Sequence, residues 1–251
     1  DPLKYGSSEA DPDPIKALLK LRNEPYALNR YTIEVFDNVG GTGFPFQRID
    51  GAQIQRGTIG THTCCVFLEA VAFLGGGRNE SISVWLAASG SSTRIATREI
   101  DQILSVYSEE VLSSVLVESR VDRGHQHLYI HLPDQTLVYD AAASQIVGEP
   151  VWFILCSAID KGRYRARNLV WCYDKWLVGD TNTSKIGRLD YEQTNHWGNK
   201  IGWEFNTGVV YNEGRGAIFH ELELVGLTGR AELGTDEFVS TQFSLDGVTW
   251  S

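Results

Sequence analysis

The most constraining feature of this sequence is a two-residue alternation of apolar and polar side chains that recurs along almost its whole length. It is clearest in "HLYIHLPDQTLVYD" (127–140), where two alternating runs flank the pair Pro133–Asp134. Because successive side chains of a β-strand point to opposite faces, this pattern predicts a β-hairpin. Further candidate strands include 63–75, 202–211, 217–227 and 237–247. The sequence therefore predicts an all-β protein.

Apolar runs that end in an acidic residue recur along the chain. "TIEVFD" ends at Asp37, "TLVYD" at Asp140 and "WLVGD" at Asp180, while "SISVWLA" occupies a similar place near Trp85. The intervals of about 40 to 55 residues are close to the length of one four-stranded blade of a β-propeller. We therefore expect a β-propeller-like array of four-stranded antiparallel sheets. A large irregular β-sandwich is the alternative that the pattern leaves open.

Helical periodicity is confined to one stretch, "TREIDQILSVYSEEVLSSVLVES" (97–119). Its apolar positions from Ile100 to Tyr107 follow helical spacing, and Ser108 before two glutamates is typical of a new helix start. We expect a short helical insertion of two helices at about 97–119. Residues 1–14 are rich in Pro, Asp and Ser, so we expect a linker there and a single β-propeller-like domain over 15–251.

Charge and cysteine content exclude several classes of protein. The net charge of −10 argues against a broad basic surface that binds nucleic acid. The four cysteines have no CxxC or Cys/His metal spacing, so we expect buried thiols. No run of eighteen apolar residues is present, and we expect no membrane span. Since the sequence contains no methionine and starts at Asp1, we expect it to be a fragment of a longer protein.

Three histidines are the strongest candidates for a metal site. His125, His127 and His131 share parity on one predicted strand and should point to one face. No carboxylate or cysteine lies at a matching short spacing along the chain, so we expect a polar strand face that binds no metal. The sequence also has no nucleophile elbow, zinc-protease motif or phosphate-binding loop. We therefore expect no catalytic residue, no cofactor and no enzymatic activity.

Two segments carry candidate interaction residues. Phe44 and Phe46 lie in the glycine-rich loop "GGTGFPFQRIDG" (40–51), and Arg163, Arg165 and Arg167 lie in "KGRYRAR" (161–167). Arginines beside a tyrosine are able to contact a phosphate backbone. A solvated strand edge or an intersubunit salt-bridge surface is the alternative, because the whole chain is acidic and basic residues on a strand edge discourage stray pairing.

The order of five separated segments resembles the packaged-DNA stabilisation protein, also called tail hub or nozzle, of short-tailed phages and prophages. Those segments are 18–60, "STRIATREIDQIL" (92–104), "HLYIHLPDQTLVYD" (127–140), "WLVGD" (176–180) and "VVYNEGRGAIFHELEL" (209–224). The resemblance extends from about residue 15 to Ser251, and its specificity lies in the order of the segments.

The resemblance implies a structural role and a set of partners. A protein of this family contains a β-propeller and, at full length, forms a homo-oligomeric ring below the portal and its adaptor protein. That ring helps retain packaged DNA in the capsid, receives the tail needle or plug protein, and forms part of the ejection channel, through which DNA passes without sequence-specific binding. The implied location is the virion tail, after synthesis in the cytoplasm of the bacterial host.

Two other functions remain open on the sequence alone. "SLDGVTW" (244–250) is similar to the Asp-box turn of sialidase-like propellers but is one residue short, so a glycan-binding or glycan-cleaving propeller is one alternative. A scaffold for protein partners in a cellular setting is the other. Converging carboxylates at a central pocket would favour the first alternative over a ring subunit.

Overall fold

The structure is a computed structural model. It describes residues 5–8, 11–40, 43–193, 195–208, 213, 215–216, 218–223, 225, 239–245 and 249–251. The chain divides into two compact units, Asp1–Gly202 and Trp203–Ser251. The first unit contains four successive antiparallel sheets in a β-propeller arrangement, which confirms the all-β propeller prediction.

Sheet 1 is a four-stranded meander in chain order. Its strands are β1 (Ile15–Leu21), β2 (Glu24–Asn29), β3 (Ile33–Asn38) and β4 (Phe46–Arg48). The stretch before it is tied to the β2–β3 turn, because the Asp13 carboxylate accepts hydrogen bonds from Tyr31 N (2.6 Å) and Thr32 Oγ1 (3.2 Å). Asp13 is buried, so the end of the segment predicted as a linker lies against sheet 1.

Sheet 2 packs between sheets 1 and 3. Its strands are β5 (Gly57–Thr58), β6 (Cys64–Phe67), β7 (Ala70–Gly76), β8 (Ser83–Ala88) and β9 (Ser91–Arg94). Both β5 and β6 pair with β7, so the five strands occupy four positions. Val71 and Phe73 join the apolar cluster shared with sheet 1, while Ala72 and Leu74 join the cluster shared with sheet 3. Burial on both faces explains why β7 is continuously apolar.

The helical insertion follows sheet 2. Helices α1 (Arg98–Ser105) and α2 (Glu109–Ser113) begin after the N-cap residues Thr97 and Ser108, and the sequence predicts the second of these starts. Ile100, Leu104 and Leu112 bury their side chains in the cluster between sheets 2 and 3. The insertion is shorter than expected because a strand starts at Leu116. In the part of the chain that the structure describes, no helix has the length and apolar character needed to span a membrane.

Sheet 3 contains the predicted hairpin and one unexpected helix. Its strands are β10 (Leu116–Asp122), β11 (His125–His131), β12 (Thr136–Asp140), β13 (Val151–Ser157) and β14 (Gly162–Arg163). Helix α3 (Ala141–Val147) lies between β12 and β13, begins at the N-cap Asp140 and ends at Gly148, whose φ is +82°. The expectation that helices are confined to 97–119 is therefore wrong.

Sheet 4 has three strands instead of the expected four. They are β15 (Ala166–Cys172), β16 (Lys175–Asp180) and β17 (Ile186–Arg188), and a two-stranded hairpin of β18 (Asn195–His196) and β19 (Asn199–Lys200) follows. The candidate strands at 202–211, 217–227 and 237–247 lie partly outside the described residues, and their described residues form no strand. In the second unit, Phe243 and Ser251 exchange backbone hydrogen bonds of 3.4 and 3.1 Å.

Candidate functional site

The three candidate histidines lie on one face of β11, as the alternation predicts. The other face carries Leu128 and Ile130, which are fully buried in the cluster against sheet 2. The histidine face is therefore turned away from that cluster. Tyr129 lies between His127 and His131 on this face, with its ring edge towards His127 and stacked on His131.

The neighbouring strands divide the histidines into two groups. The β10–β11 and β11–β12 registers place Leu116 and Thr136 opposite His131, and Arg120 and Asp140 opposite His127. Residues directly opposite each other in an antiparallel pair point to the same face. His131 consequently bonds to Thr136 and Glu118, whereas His125 and His127 both approach Asp140.

Asp140 is the residue that sequence reasoning missed. Its Oδ2 lies 2.7 Å from Nδ1 of His125 and 3.4 Å from Nε2 of His127. Its Oδ1 accepts a hydrogen bond from the backbone N–H of Ala143 (3.1 Å) and so caps α3. Counting outward from the Pro133–Asp134 turn pairs residue 127 with residue 140, so the hairpin itself contained the signal. The carboxylate that approaches the histidines is therefore supplied by the paired strand, where a search for short spacings along one strand does not find it.

Burial and hydrogen bonds shift the pKa values of this group. Burial lowers the pKa of His127, although the nearby Asp140 carboxylate acts in the opposite direction. Burial alone would raise the pKa of Asp140, but the Ala143 N–H and the two histidines outweigh it, so this pKa is lowered. The favoured state near neutral pH combines a neutral His127 with an ionised Asp140.

The second group connects sheet 3 to sheet 4. Glu118 Oε1 lies 2.7 Å from Nε2 of His131, and the same carboxylate accepts hydrogen bonds from the backbone N–H groups of Asn168 (3.1 Å) and Leu169 (2.8 Å) on β15. Ser157 of β13 adds a 2.8 Å bond to His196. We call these contacts of Glu118 and Ser157 with the residues beyond sheet 3 the polar seam.

The three candidate arginines have different surroundings. Arg165 holds both oxygens of Asp180, through Nε at 2.9 Å and Nη2 at 2.6 Å. This bidentate pair raises the pKa of Arg165 and holds the pKa of Asp180 well below its usual range. Burial lowers the pKa of Arg167, whose Nε has no hydrogen-bond partner among the described residues. Arg163 is half-buried on β14. The structure therefore does not present them as a row of free cations.

Phe44 and Phe46 lie at the β3–β4 connection. Their rings meet edge to face with centroids 5.6 Å apart. Phe44 is 39% exposed and packs against Gly6, where an added Cβ would lie only 2.2 Å from its ring. Phe46 is half-buried at the start of β4. Part of this aromatic pair is thus already used within the chain.

Two family models match the chain. The model described as the β-propeller of bacteriophage P22 Gp10 matches residues 1–194, and the model described as the β-sandwich of the same protein matches residues 202–251. The two matches follow each other in the order of the two compact units, whose division falls at Gly202.

Comparison with known proteins gives a curated relative and a solved structure, among other matches. The tail hub protein gp10 of Salmonella phage P22 is 26% identical over 246 residues, which are 97% of this chain and 51% of that protein. The chain thus spans about half the length of this curated relative. A solved structure of an engineered GH43 glycoside hydrolase covers 86% of this chain and 49% of its own, with 14% identity and a TM-score of 0.37. Likeness at that level carries no argument about function.

Proposed function

The chain belongs to the phage P22 Gp10 family of tail hub and packaged-DNA stabilisation proteins, and from this premise we propose that it forms part of a structural tail hub subunit in a phage virion. The observation that carries the proposal is the match of both family models, in order, over 1–194 and 202–251. The curated relative supports it, because 97% of this chain aligns with a protein named as a tail hub.

The fold suits a subunit that has to withstand mechanical force. Sheets 1 to 3 share continuous apolar clusters, and the polar seam joins sheet 3 to its neighbour. Close-packed protein interiors have low compressibility and transmit strain. We propose that the protein has no enzymatic activity and acts by holding its shape beneath a pressurised capsid.

The negative net charge of the chain supports the proposal that DNA passes through the channel without being bound. Its net charge is −10, and Asp180 already neutralises Arg165. Excess negative charge repels phosphates, whereas several free arginines would bind them and slow ejection. We propose that DNA passes the full-length hub with no sequence-specific contact.

The proposed assembly is a closed cyclic homo-oligomer with heterologous side contacts. Its partners would be the portal-adaptor protein above and the tail needle or plug protein below, in the virion tail, after synthesis in the cytoplasm of the bacterial host. Phe44 and Phe46 are the contact residues that we propose for one of these partners, and Arg163 and Arg167 those for a neighbouring subunit. Arg165 would then position this segment through Asp180.

Reconstitution tests the proposal. DNA-filled heads that carry portal and adaptor but lack the hub are mixed with the purified full-length protein that contains this chain. We expect the heads to keep their DNA against added nuclease, with a ring of density below the adaptor in electron micrographs and a multimer by light scattering. Unprotected DNA, no added density and a monomeric protein would together refute it.

A matched variant controls for general protein effects. Glu149 is exposed between α3 and β13, so Glu149→Ala should protect the heads as well as the parent protein does. Heat-unfolded protein should not protect them. The glycan alternative has no support in the described residues, because the motif behind it includes residues 246–248, which lie outside them. Release of sugars from a glycan array by the intact protein would support the glycan alternative.

A further inference from the structure

His125, His127 and Asp140 converge on one face of sheet 3 because of strand register. His125 and His127 are two residues apart on β11, and Asp140 lies directly opposite His127 on β12. Their ligand atoms all lie within 4.8 Å of one another. Two residues on one strand and a third opposite one of them place three donors on one face of the sheet.

The distances fit a tetrahedral transition-metal ion with little movement. Zn²⁺ holds nitrogen and oxygen ligands at about 2.0–2.1 Å, so two ligands of a tetrahedron are roughly 3.3–3.4 Å apart. Nε2 of His127 and Oδ2 of Asp140 are already 3.4 Å apart. Nδ1 of His125, at 2.7 Å from the same oxygen, must withdraw slightly. The His125 side chain is 51% exposed and is free to make that shift.

The site is oriented by groups that are not ligands. The Ala143 N–H holds Oδ1 of Asp140 and leaves Oδ2 turned towards the histidines. The rings of Tyr129 and Phe153 stand edge-on against the His127 ring, with centroids at 6.1 and 5.7 Å. Outer groups that fix a ligand's orientation are a regular part of protein metal sites.

The charge around the site favours a cation. Arg120 lies opposite His127, but its guanidinium is paired with the carboxylate of Asp122, which lies opposite His125. Asp122 and Asp140 thus bring two carboxylates to this face, against the single guanidinium of Arg120.

We propose that Nδ1 of His125, Nε2 of His127 and Oδ2 of Asp140 bind one Zn²⁺ ion, with water completing the tetrahedron. Two imidazoles and one carboxylate suit Zn²⁺ and its neighbours in the first transition row, whereas Mg²⁺ and Ca²⁺ require more oxygen ligands. The ion joins β11 to β12 at the start of α3 and stabilises this end of sheet 3. This proposal differs from the expectation, based on sequence alone, that His125, His127 and His131 bind no metal, and the titration below decides between the two.

Titration of the purified protein without a His tag tests the site. After EDTA treatment and dialysis, we expect calorimetry to show one saturable Zn²⁺ site per chain and Tm to rise with added Zn²⁺. Co²⁺ should give the visible absorption bands of a tetrahedral site. Asp140→Asn is the key variant, because asparagine retains the N-cap of α3 and removes the charged ligand. We expect this variant to bind Zn²⁺ at least about tenfold more weakly.

A second variant and a control keep the outcome clear. His125→Gln/His127→Gln should abolish the saturable site. His62→Gln, at an exposed histidine outside sheet 3, should bind like the parent. Absence of saturable Zn²⁺ binding in the parent, equal binding by the double variant, or loss of binding in His62→Gln would overturn the proposal. None of these results depends on the tail hub function, which is tested with phage heads.

Discussion

Nε2 of His131 lies 2.7 Å from Oε1 of Glu118, and this bond crosses from β11 to β10 inside sheet 3. The hydroxyl of Thr136, 3.1 Å from Nδ1 of the same ring, completes its hydrogen bonding. Nε2–H donates to the carboxylate and Nδ1 accepts from Thr136 in the neutral tautomer. Because Glu118 also receives two N–H groups from β15, one carboxylate orients the histidine and fixes the next sheet.

Glu118→Ala should destabilise the protein by about 1–3 kcal/mol. The substitution leaves His131 and the backbone N–H groups of Asn168 and Leu169 without their acceptor. The cost falls mainly on His131, because its ring is buried and a buried donor without a partner pays the free energy of its desolvation. Urea unfolding followed by tryptophan fluorescence measures the change. Glu149→Ala is the control and should unfold like the parent. Equal midpoints for the two variants would show that the Glu118 contacts contribute nothing.

Stability should fall when the pH decreases from about 7 to 5. Burial lowers the pKa of His131, with Arg163 and Arg167 acting in the same direction and Glu118 against them. The folded state therefore prefers neutral His131, whereas an unfolded histidine takes a proton near its usual pKa of about 6.5. Acidification below that value stabilises the unfolded chain relative to the folded one.

His131→Gln should reduce the slope of Tm against pH over this window. It would not remove the slope completely, because burial also lowers the pKa of His127 and His196. Differential scanning calorimetry at pH 7.5, 6 and 5 gives the comparison. A parent protein whose Tm rises on acidification would contradict the expected direction of the pH dependence.

Leu74→Ala should cost about 2–5 kcal/mol of unfolding free energy. Leu74 is fully buried in the cluster between sheets 2 and 3, and truncation removes apolar contact and leaves a cavity. Leu18→Ala is the matched control, because Leu18 is 70% exposed on β1. If both variants lose equal stability in urea, Leu74 does not have the packing described.

The protein should not bind duplex DNA appreciably at physiological salt. Arg165 is held by Asp180, Arg167 is half-buried, and the chain as a whole repels phosphates. A gel-shift titration at several salt concentrations measures this, with Arg163→Ala/Arg165→Ala/Arg167→Ala as the comparison. Tight, salt-sensitive binding by the parent that this variant loses would favour a DNA clamp over a passive channel.

Strands could be located from the sequence where a typical turn residue marks the end of the strand. The Pro133–Asp134 pair marks the β11–β12 turn, and the hairpin there is confirmed. The run 63–75 predicts one long strand, yet the structure has two, β6 and β7, joined at Leu68 with φ of +56°. A leucine in the left-handed region gives no turn signal, since glycine or asparagine normally occupies it.

Only part of the candidate site could be predicted, again because contacts between strands leave no local signal in the sequence. Alternation along β11 places the histidines on one face, and the structure shows them there. The partners of these histidines come from other strands. Which residues become partners depends on the strand register, and the register is a property of the folded hairpin more than of any short segment. Asp140 could have been found by counting from the turn. Glu118 could not, because its contacts with β15 join residues 50 and 51 positions apart.

Sheet 4 is attached differently from the sheets before it. The cluster around it contains three buried residues among those described, against sixteen between sheets 2 and 3, and the polar seam adds hydrogen bonds to sheet 3. Proteins open locally where few apolar contacts must be broken. In native-state hydrogen exchange, the amides of β15 to β17 should therefore lose protection through a sub-global opening, while those of β7 exchange only when the whole unit unfolds.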